Sequence, residues 1–218
     1  MVAPLDMAEI PKSARKVMYD RSPEGMTLKN DAPVKDKLKS QQILVKIYAA
    51  SINPLDYKLI SIFPMWLLGQ GVGLDFSGKI VKTGNGVKDF KVGDTVYGTA
   101  SGTLADYCVT EASKVAMKPS KITHVEAASL PVVGVTSLQA LTDNGVKANT
   151  RLLVVGASGG CGLIGTQIAK SMGAWVVGVC SGRNEALVRG LGTDQVVDYN
   201  RPDFLPALAA AATPGSLP

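Results

Sequence analysis

The stretch Arg151-Leu152-Leu153-Val154-Val155-Gly156-Ala157-Ser158-Gly159-Gly160-Cys161-Gly162 decides the fold. A short apolar run ends abruptly on glycines, and a helical pattern follows. Cys161, Ile164, Gly165, Ile168 and Met172 recur at helical spacing, with Gln167 and Lys170 on another face. The pattern predicts a buried strand over residues 151–155, a glycine-rich turn over 156–162, and a helix closed by Gly173. Residues 175–180 read as a second strand, 184–191 as a second helix and 195–199 as a third strand. Strand–helix–strand–helix–strand is half of a doubly wound nucleotide-binding sheet.

Glycines let a backbone approach a pyrophosphate, and a helix N-terminus offers unpaired N–H groups and a partial positive charge. Gly156 is expected to permit the tight turn and Gly162 to permit close packing of helix on strand. Ser158, Gly159, Gly160 and Cys161 complete the expected cradle. The usual G-x-G-x-x-G spacing is not met at the strand end; it occurs at Gly160, Gly162 and Gly165, positions that should already be helical. The alternative is a glycine-rich connection without a ligand, and the turn's place in a βαβαβ unit favours dinucleotide binding. NAD sites usually place an acid at the end of the second strand, about 20 residues past the turn, for the ribose 2′-OH. Here Val179-Cys180-Ser181-Gly182-Arg183-Asn184 holds no acid before Glu185. Arg183 can grip a 2′-phosphate with its guanidinium fork, Ser181 can donate a hydrogen bond, and Asn184 adjoins both. NADPH is therefore expected over NADH, the alternative for Arg183 being a solvated residue at a helix start.

Upstream, residues 15–120 read as short strands, with candidates at 43–50, 76–82, 95–99, 105–110 and 114–117. The turn sequences Thr83-Gly84-Asn85-Gly86, Val92-Gly93-Asp94 and Ser101-Gly102-Thr103 separate them. A small β-barrel or sandwich is expected. Residues 123–143 are expected to be helical in two pieces, broken at Leu130-Pro131. The chain of 218 residues, 46% hydrophobic and 19% charged, can bury a core and lies in two-domain range. No run approaches the ~18–20 apolar residues of a membrane span, and residues 1–16 lack the apolar core of a secretory signal. The net charge of +5 is scattered and lacks an aromatic platform, so a solvated surface is expected rather than a nucleic-acid face. Anionic small ligands fit the excess. Cys108, Cys161, Cys180 and the single His124 do not supply a zinc site. Reduced thiols and a cytoplasmic location are expected.

Taken together, these features resemble the zinc-independent quinone oxidoreductase and alkenal/one reductase branch of the medium-chain dehydrogenase/reductase superfamily. The resemblance is carried by Gly156-x-x-Gly159-x-x-Gly162 with Gln167-Ile168-Ala169-Lys170. Asn53-Pro54-Leu55-Asp56-Tyr57-Lys58, Gly73-Leu74-Asp75-Phe76-Ser77-Gly78, Val92-Gly93-Asp94, Ala127-Ala128-Ser129-Leu130-Pro131, Gly134-Val135-Thr136 and Val197-Asp198-Tyr199 follow in the family's order. It implies a GroES-like substrate and catalytic domain over 1–118, a helical bridge over 119–150 and a partial Rossmann NADPH-binding domain over 151–218. It also implies hydride transfer to a quinone or to the carbon–carbon double bond of an α,β-unsaturated carbonyl, no metal, and a homodimer as a compatible assembly.

Asn53 replaces the zinc-ligand cysteine of the alcohol dehydrogenases. Lys58 stands where quinone oxidoreductases often carry a tyrosine, as in the alkenal/one reductase and chloroplast-envelope-like members, and Tyr57 precedes it. The Lys58 ammonium is expected to stabilise the enolate oxygen that forms on hydride transfer; the alternative is a surface lysine. Asn53 either orients substrate or cofactor or caps the turn before Pro54, and Tyr57 either donates a hydrogen bond or packs. Asp56, Asp75 and Asp94 are expected to support loops and core. Thr136, in a Gly-x-Thr helix start, is expected to face the cofactor, Tyr199 to lie near the adenosine phosphate, and His124 to be a surface residue at a helix start.

Complete doubly wound folds carry two mononucleotide halves, and only the adenosine half is expected here. Leu205-Pro206, the alanine run 209–212 and Thr213-Pro214-Gly215-Ser216-Leu217-Pro218 read as a frayed or divergent end, leaving an exposed sheet edge. The expected function is an NADPH-dependent reductase impaired in this short form, or alternatively a non-catalytic NADPH-binding or interaction protein.

Overall fold

The structure, a computed structural model, describes residues 9–20, 22–62 and 71–212. The chain forms two compact units, Met1–Val132 and Val133–Pro218. In the first, β1 (Ser13–Asp20) and β2 (Ser22–Pro33) pair antiparallel. Strands β3 (Gln42–Ser51), β4 (Asp75–Thr83), β5 (Thr95–Thr99), β6 (Tyr107–Glu111) and β7 (Val115–Met117) form a five-stranded antiparallel sheet in the order β6-β3-β4-β5-β7. Ile43, Val45, Phe76, Ile80, Val96 and Cys108 point to one buried core. Sealing such an aliphatic or aromatic side chain from water contributes about 1.5–3 kcal/mol. The β3–β4 register slips between Leu44 and Val45 and again between Ile47 and Ala49, bulges that bend the pair. Between β4 and β5, Asp94 Oδ2 accepts the Lys91 N–H at 2.9 Å, the supporting role expected of it.

Two helices complete this unit. Helix α1 (Pro54–Ile62) begins on proline, whose missing N–H would have no helical partner at that position. Helix α2 (His124–Ala128) starts with a capping box: Thr123 Oγ1 accepts the Glu126 N–H at 3.2 Å and Glu126 Oε2 accepts the Thr123 N–H at 2.7 Å. Because α2 packs on β3 and β4, it belongs to the first unit. Helix α3 (Pro131–Asp143) passes into the second, so the stretch 119–150 is shared between the two units rather than standing as a bridge.

The second unit alternates β8 (Arg151–Val155), α4 (Gly160–Ser171), β9 (Trp175–Cys180), α5 (Glu185–Gly190), β10 (Gln195–Asp198) and α6 (Phe204–Ala212). Its strands are parallel in the order β10-β9-β8, the first mononucleotide half of a doubly wound sheet. Leu141, Ala169, Ala174 and Val176 form one core cluster, and Val177, Val179, Val197 and Ala211 another.

The alanine run read as a frayed end is helical and packed: Ala211 is 1% exposed. Pro206 is tolerated because it sits in the first turn of α6, where an N–H has no intrahelical acceptor. Arg151 Nη2 reaches the Ala211 carbonyl at 2.9 Å, and its guanidinium lies 4.0 Å from the Trp175 ring centre. Residues 213–218, and residues 1–8 of the leader reading, lie outside the described residues. On β8, Leu153 and Val155 are exposed, and among the described residues this strand pairs only with β9. Among the described residues no helix is long and apolar enough to cross a membrane.

Candidate functional site

Gly156 adopts φ +76, a left-handed conformation that glycine takes without strain. The N–H groups of Gly156 and Ala157 both reach the Val179 carbonyl, at 3.0 and 2.9 Å, tying the turn to β9. The Gly159 N–H closes back on the Gly156 carbonyl at 2.9 Å. Helical bonding starts with the Leu163 N–H on the Gly159 carbonyl at 2.8 Å, so the N–H groups of Gly160, Cys161 and Gly162 precede the ladder. Space lies open above them: a Cβ at Gly156 would meet nothing within 4 Å, and one at Gly160 only Val133 Cγ1 at 3.4 Å. Gly162 is the opposite case, since its Cβ would fall 2.2 Å from the Gly156 carbonyl oxygen and 2.8 Å from Ala157 Cα. Its close approach is therefore to the turn folded beneath the helix, not to the strand as expected. Open space at Gly156 and Gly160, N–H groups ahead of the ladder and the positive end of a 12-residue helix suit a pyrophosphate. Cys161 is an exposed, free thiol on this first helical turn.

One side-chain amide joins the turn to the loop after β9, and a second joins that loop to the end of β10. Asn184 Nδ2 donates to Ser158 Oγ at 3.1 Å, and Asn200 Nδ2 donates to Ser181 Oγ at 3.1 Å. Asp198 Oδ1 accepts the Asn200 N–H at 2.9 Å; this bond first, and the Gly182 N–H after it, holds the Asp198 carboxyl below its ordinary range. A Cβ at Gly182 would fall 2.4 Å from Asp198 Oδ2, so a larger residue there would displace the Asp198 carboxylate. Asn200 and Gly182 were not singled out from the sequence, although the pairing of a glycine after β9 with an acid at the end of β10 marks the contact. Arg183 is exposed, and among the described residues no hydrogen bond or ion pair holds its guanidinium. Tyr199 is exposed, its N–H on the Cys180 carbonyl at 3.2 Å. Thr136 is exposed too, but lies in the second turn of α3 because the helix already begins at Pro131. Its neighbour Ser137, missed from the sequence, is buried and donates to the Cys161 carbonyl at 3.0 Å, fixing α3 beside the turn.

In the first unit Asn53 is buried and its amide is committed. Nδ2 donates to Asp75 Oδ2 at 2.9 Å, while its backbone N–H donates to Asp56 Oδ2 at 2.6 Å. The capping therefore runs from Asp56 to Asn53. Asp75, fully buried, also accepts from Ser51 Oγ at 3.1 Å and from the Val132 N–H at 3.0 Å. Burial pushes the Asp75 carboxyl up, against the lowering pull of those donors; burial likewise raises Asp56, whose Oδ1 is buried without a partner. Tyr57 and Lys58 follow on the exposed side of α1. His124 begins α2 as expected and is half-buried, with its ring engaged. Its Nδ1 lies 2.9 Å from Ser77 Oγ and its ring meets Tyr48 edge-on at 4.8 Å. Ser77 gives its own proton to the Val96 carbonyl at 3.1 Å, which makes His124 Nδ1–H the donor. Among the described residues no group of three or more His, Cys, Asp or Glu is placed to hold a metal ion.

Residues 39–128 match the alcohol dehydrogenase GroES-like domain. A GroES-like domain followed by the first half of a doubly wound sheet is the order these elements take. The chain is similar to quinone oxidoreductases and enoyl reductases of the medium-chain dehydrogenase/reductase superfamily. It is 38% identical over 181 residues to a chloroplast envelope quinone oxidoreductase homolog of Arabidopsis thaliana, covering 76% of this chain and 54% of that protein. A trans-enoyl reductase of Aspergillus terreus is 36% identical over 211 residues, covering 87% and 58%. The quinone oxidoreductase of Escherichia coli, solved in complex with NADPH, superposes with a TM-score of 0.77 at 27% identity, covering 89% of this chain and 61% of that one. The chain thus spans somewhat over half the length of the curated relatives it matches.

Proposed function

We propose that this chain carries the GroES-like and adenosine-binding parts of a zinc-independent, NADPH-dependent oxidoreductase acting on a quinone or on the double bond of an α,β-unsaturated carbonyl. The observation that carries this reading is the open space at Gly156 and Gly160 with the N–H groups of Gly160, Cys161 and Gly162 ahead of the helical ladder, together with an exposed Arg183 that has no partner among the described residues. Gly156, Ser158, Gly159, Gly160 and Cys161 would cradle the pyrophosphate. Arg183, Ser181 and Asn184 would hold the ribose 2′-phosphate, with Thr136 and Tyr199 bordering the cofactor. NADPH, when bound, supplies the hydride. The Lys58 ammonium donates to the substrate oxygen as negative charge builds there, where a preorganised donor is worth about 10²–10³ in turnover. Asn53, anchored to Asp75, fixes the start of α1 and so the place of Tyr57 and Lys58. Three free thiols suit a reducing cytosol.

The test is a titration of NADPH, NADH and adenosine 2′,5′-bisphosphate, followed by NADPH oxidation with a panel of quinones and enones. The 218-residue chain is compared with a form that includes a second mononucleotide half. Preferential NADPH binding is expected in both forms. Turnover is expected near background in the 218 residues alone, because productive positioning supplies about 7–11 kcal/mol of a barrier and needs both halves. In the longer form Lys58→Ala should lower turnover more than it weakens NADPH binding. Equal affinity for NADH and NADPH refutes the cofactor assignment. NADPH binding with no acceptor reduced by either form would instead favour the non-catalytic reading.

A further inference from the structure

A cavity of about 250 Å³ opens in the first unit, walled by β1, the end of β2, β3 and β6. Its cationic lining is Arg15, Lys16 and Lys35, and no Asp or Glu lines it. The Arg15 charge is already answered, by Asp106 at 2.8 and 3.1 Å. Gln42 in the wall is likewise engaged, its Nε2 donating to Glu111 at 2.9 Å. Lys16 and Lys35 have no such partner among the described residues.

Lys16 is half-buried, and its position is built into the fold. Its side-chain end lies over two glycines: a Cβ at Gly71 would stand 2.7 Å from Lys16 Cε, and one at Gly102 3.1 Å from both Cε and Nζ. Both glycines keep clear the space that the lysine fills. An ammonium drawn partly out of water without a counter-charge is unfavourable, and an anion in the cavity relieves that cost. Val34, Leu44 and Val109 supply apolar wall for a short carbon stem. The volume is below the ~300–1,000 Å³ of drug-sized sites, so the occupant is small. Cys108 also lines the cavity, but burial pushes its thiol far up and keeps it protonated, so the cavity holds a ligand rather than reacting with one.

We propose that this cavity binds a small organic anion, with its carboxylate or phosphate head on Lys16 and Lys35 and its carbon stem against the valine and leucine wall. The site is separate from the glycine turn and does not rest on the function proposed above.

The experiment follows backbone amide NMR shifts of the 218-residue chain during titration with glycerol 3-phosphate, succinate, inorganic phosphate and sodium chloride. Saturable shifts at Gly102, Tyr107 and Cys108 are expected with at least one organic anion, at lower concentration than with inorganic phosphate. The tighter of glycerol 3-phosphate and succinate identifies the head group. Lys16→Met should weaken that binding about tenfold, the loss of one charge-assisted contact, and Lys16→Arg should recover it. Adenosine 2′,5′-bisphosphate should bind Lys16→Met and the parent chain alike. Should Lys16→Met fail to fold, Lys35→Met at an exposed position must weaken binding in its place. The proposal is overturned by shifts linear in concentration and shared with chloride, by shifts confined to residues 156–162, or by affinity unchanged in the folded lysine variant.

Discussion

The Asn53–Asp75 network and the Gly156–Gly162 turn are both polar and both central to their units, but they use their polar atoms in opposite ways. In the first, a buried carboxylate collects Ser51 Oγ, Asn53 Nδ2 and the Val132 N–H, three donors bonded within the unit. In the second, the turn closes on itself through the Gly159 N–H and leaves three helix-start N–H groups beneath open space. Buried groups bonded to one another position a segment, whereas unpaired groups facing a concavity await a ligand. The same contrast separates Asn53, which anchors, from Lys58 and Arg183, exposed charges without partners among the described residues.

Gly162→Ala tests the turn most severely. Its new Cβ would lie 2.2 Å from backbone, which cannot swing aside as a side chain can, so a loss of about 3 kcal/mol in the second unit is expected from urea unfolding. Gly134→Ala, with nothing within 4 Å in the interior of α3, should instead stabilise by about 0.5–1 kcal/mol. If both substitutions behave alike, the tight underside of the turn is not what demands glycine.

Asp75→Asn tests the other region. The amide keeps one acceptor oxygen and turns an NH₂ toward donors, leaving at least one buried group unpaired; a loss of about 1–3 kcal/mol is expected in the first unit. Cofactor affinity of the second unit should hold constant in the same variant. A neutral Asp75→Asn would mean that the carboxylate's burial cost already cancels its bonds.

Arg183→Ala should leave stability within about 0.5 kcal/mol, as an exposed residue without contacts does, while weakening NADPH by about 1.5–3 kcal/mol, tenfold or more. NADH binding should not move. Calorimetric titration of both nucleotides against both chains reads the difference.

How far the sequence revealed these regions follows from the kind of signal each carries. The turn and its strands were legible because branched apolar runs stop on glycines, and Trp175–Cys180 has the bounds its composition suggests. Helix α1 was not, since Asn53 to Lys58 was read as a motif and has little apolar periodicity to betray a helix. Helix α6 was hidden by Pro206 and by alanines, which bury well only once a sheet face is there to meet them; Ala211 against Val177, Val179 and Val197 shows that packing. The β1–β2 pair carries mixed charges along its length and gave no clean alternation. Among site residues, Arg183 and the glycines were read from local spacing. The contacts beside them, Asn200 on Ser181 and Ser137 on the Cys161 carbonyl, join residues 19 and 24 positions apart, which no local pattern encodes.

The smallest expected effect concerns pH, and it again divides the two regions. Burial first, and Lys118 second, hold the His124 pKa below 6.5, so across that interval the unfolded chain binds the proton more readily than the folded one. Stability of the first unit should therefore fall as pH drops from about 7 through 6.5 toward the folded value, and then level off. Protonation also pits a charged ring against Lys118, although the Nδ1–H bond to Ser77 survives it. Asp75 and Asp56 act with the opposite sign and at lower pH. Their raised values mean that stability recovers as pH falls through them toward 3.8. The second unit contains no histidine, and its shifted carboxyls Asp198 and Asp203 are depressed, so on acidification it should lose stability as pH falls below 3.8 through their folded values. Amide hydrogen exchange read at β8 and β9 for the second unit, and at β3 and β4 for the first, separates the two responses. His124→Gln should flatten the first unit's slope between pH 7 and the folded His124 value while leaving exchange at β8 and β9 in place. A slope unchanged by that substitution would assign the pH response to groups other than this histidine.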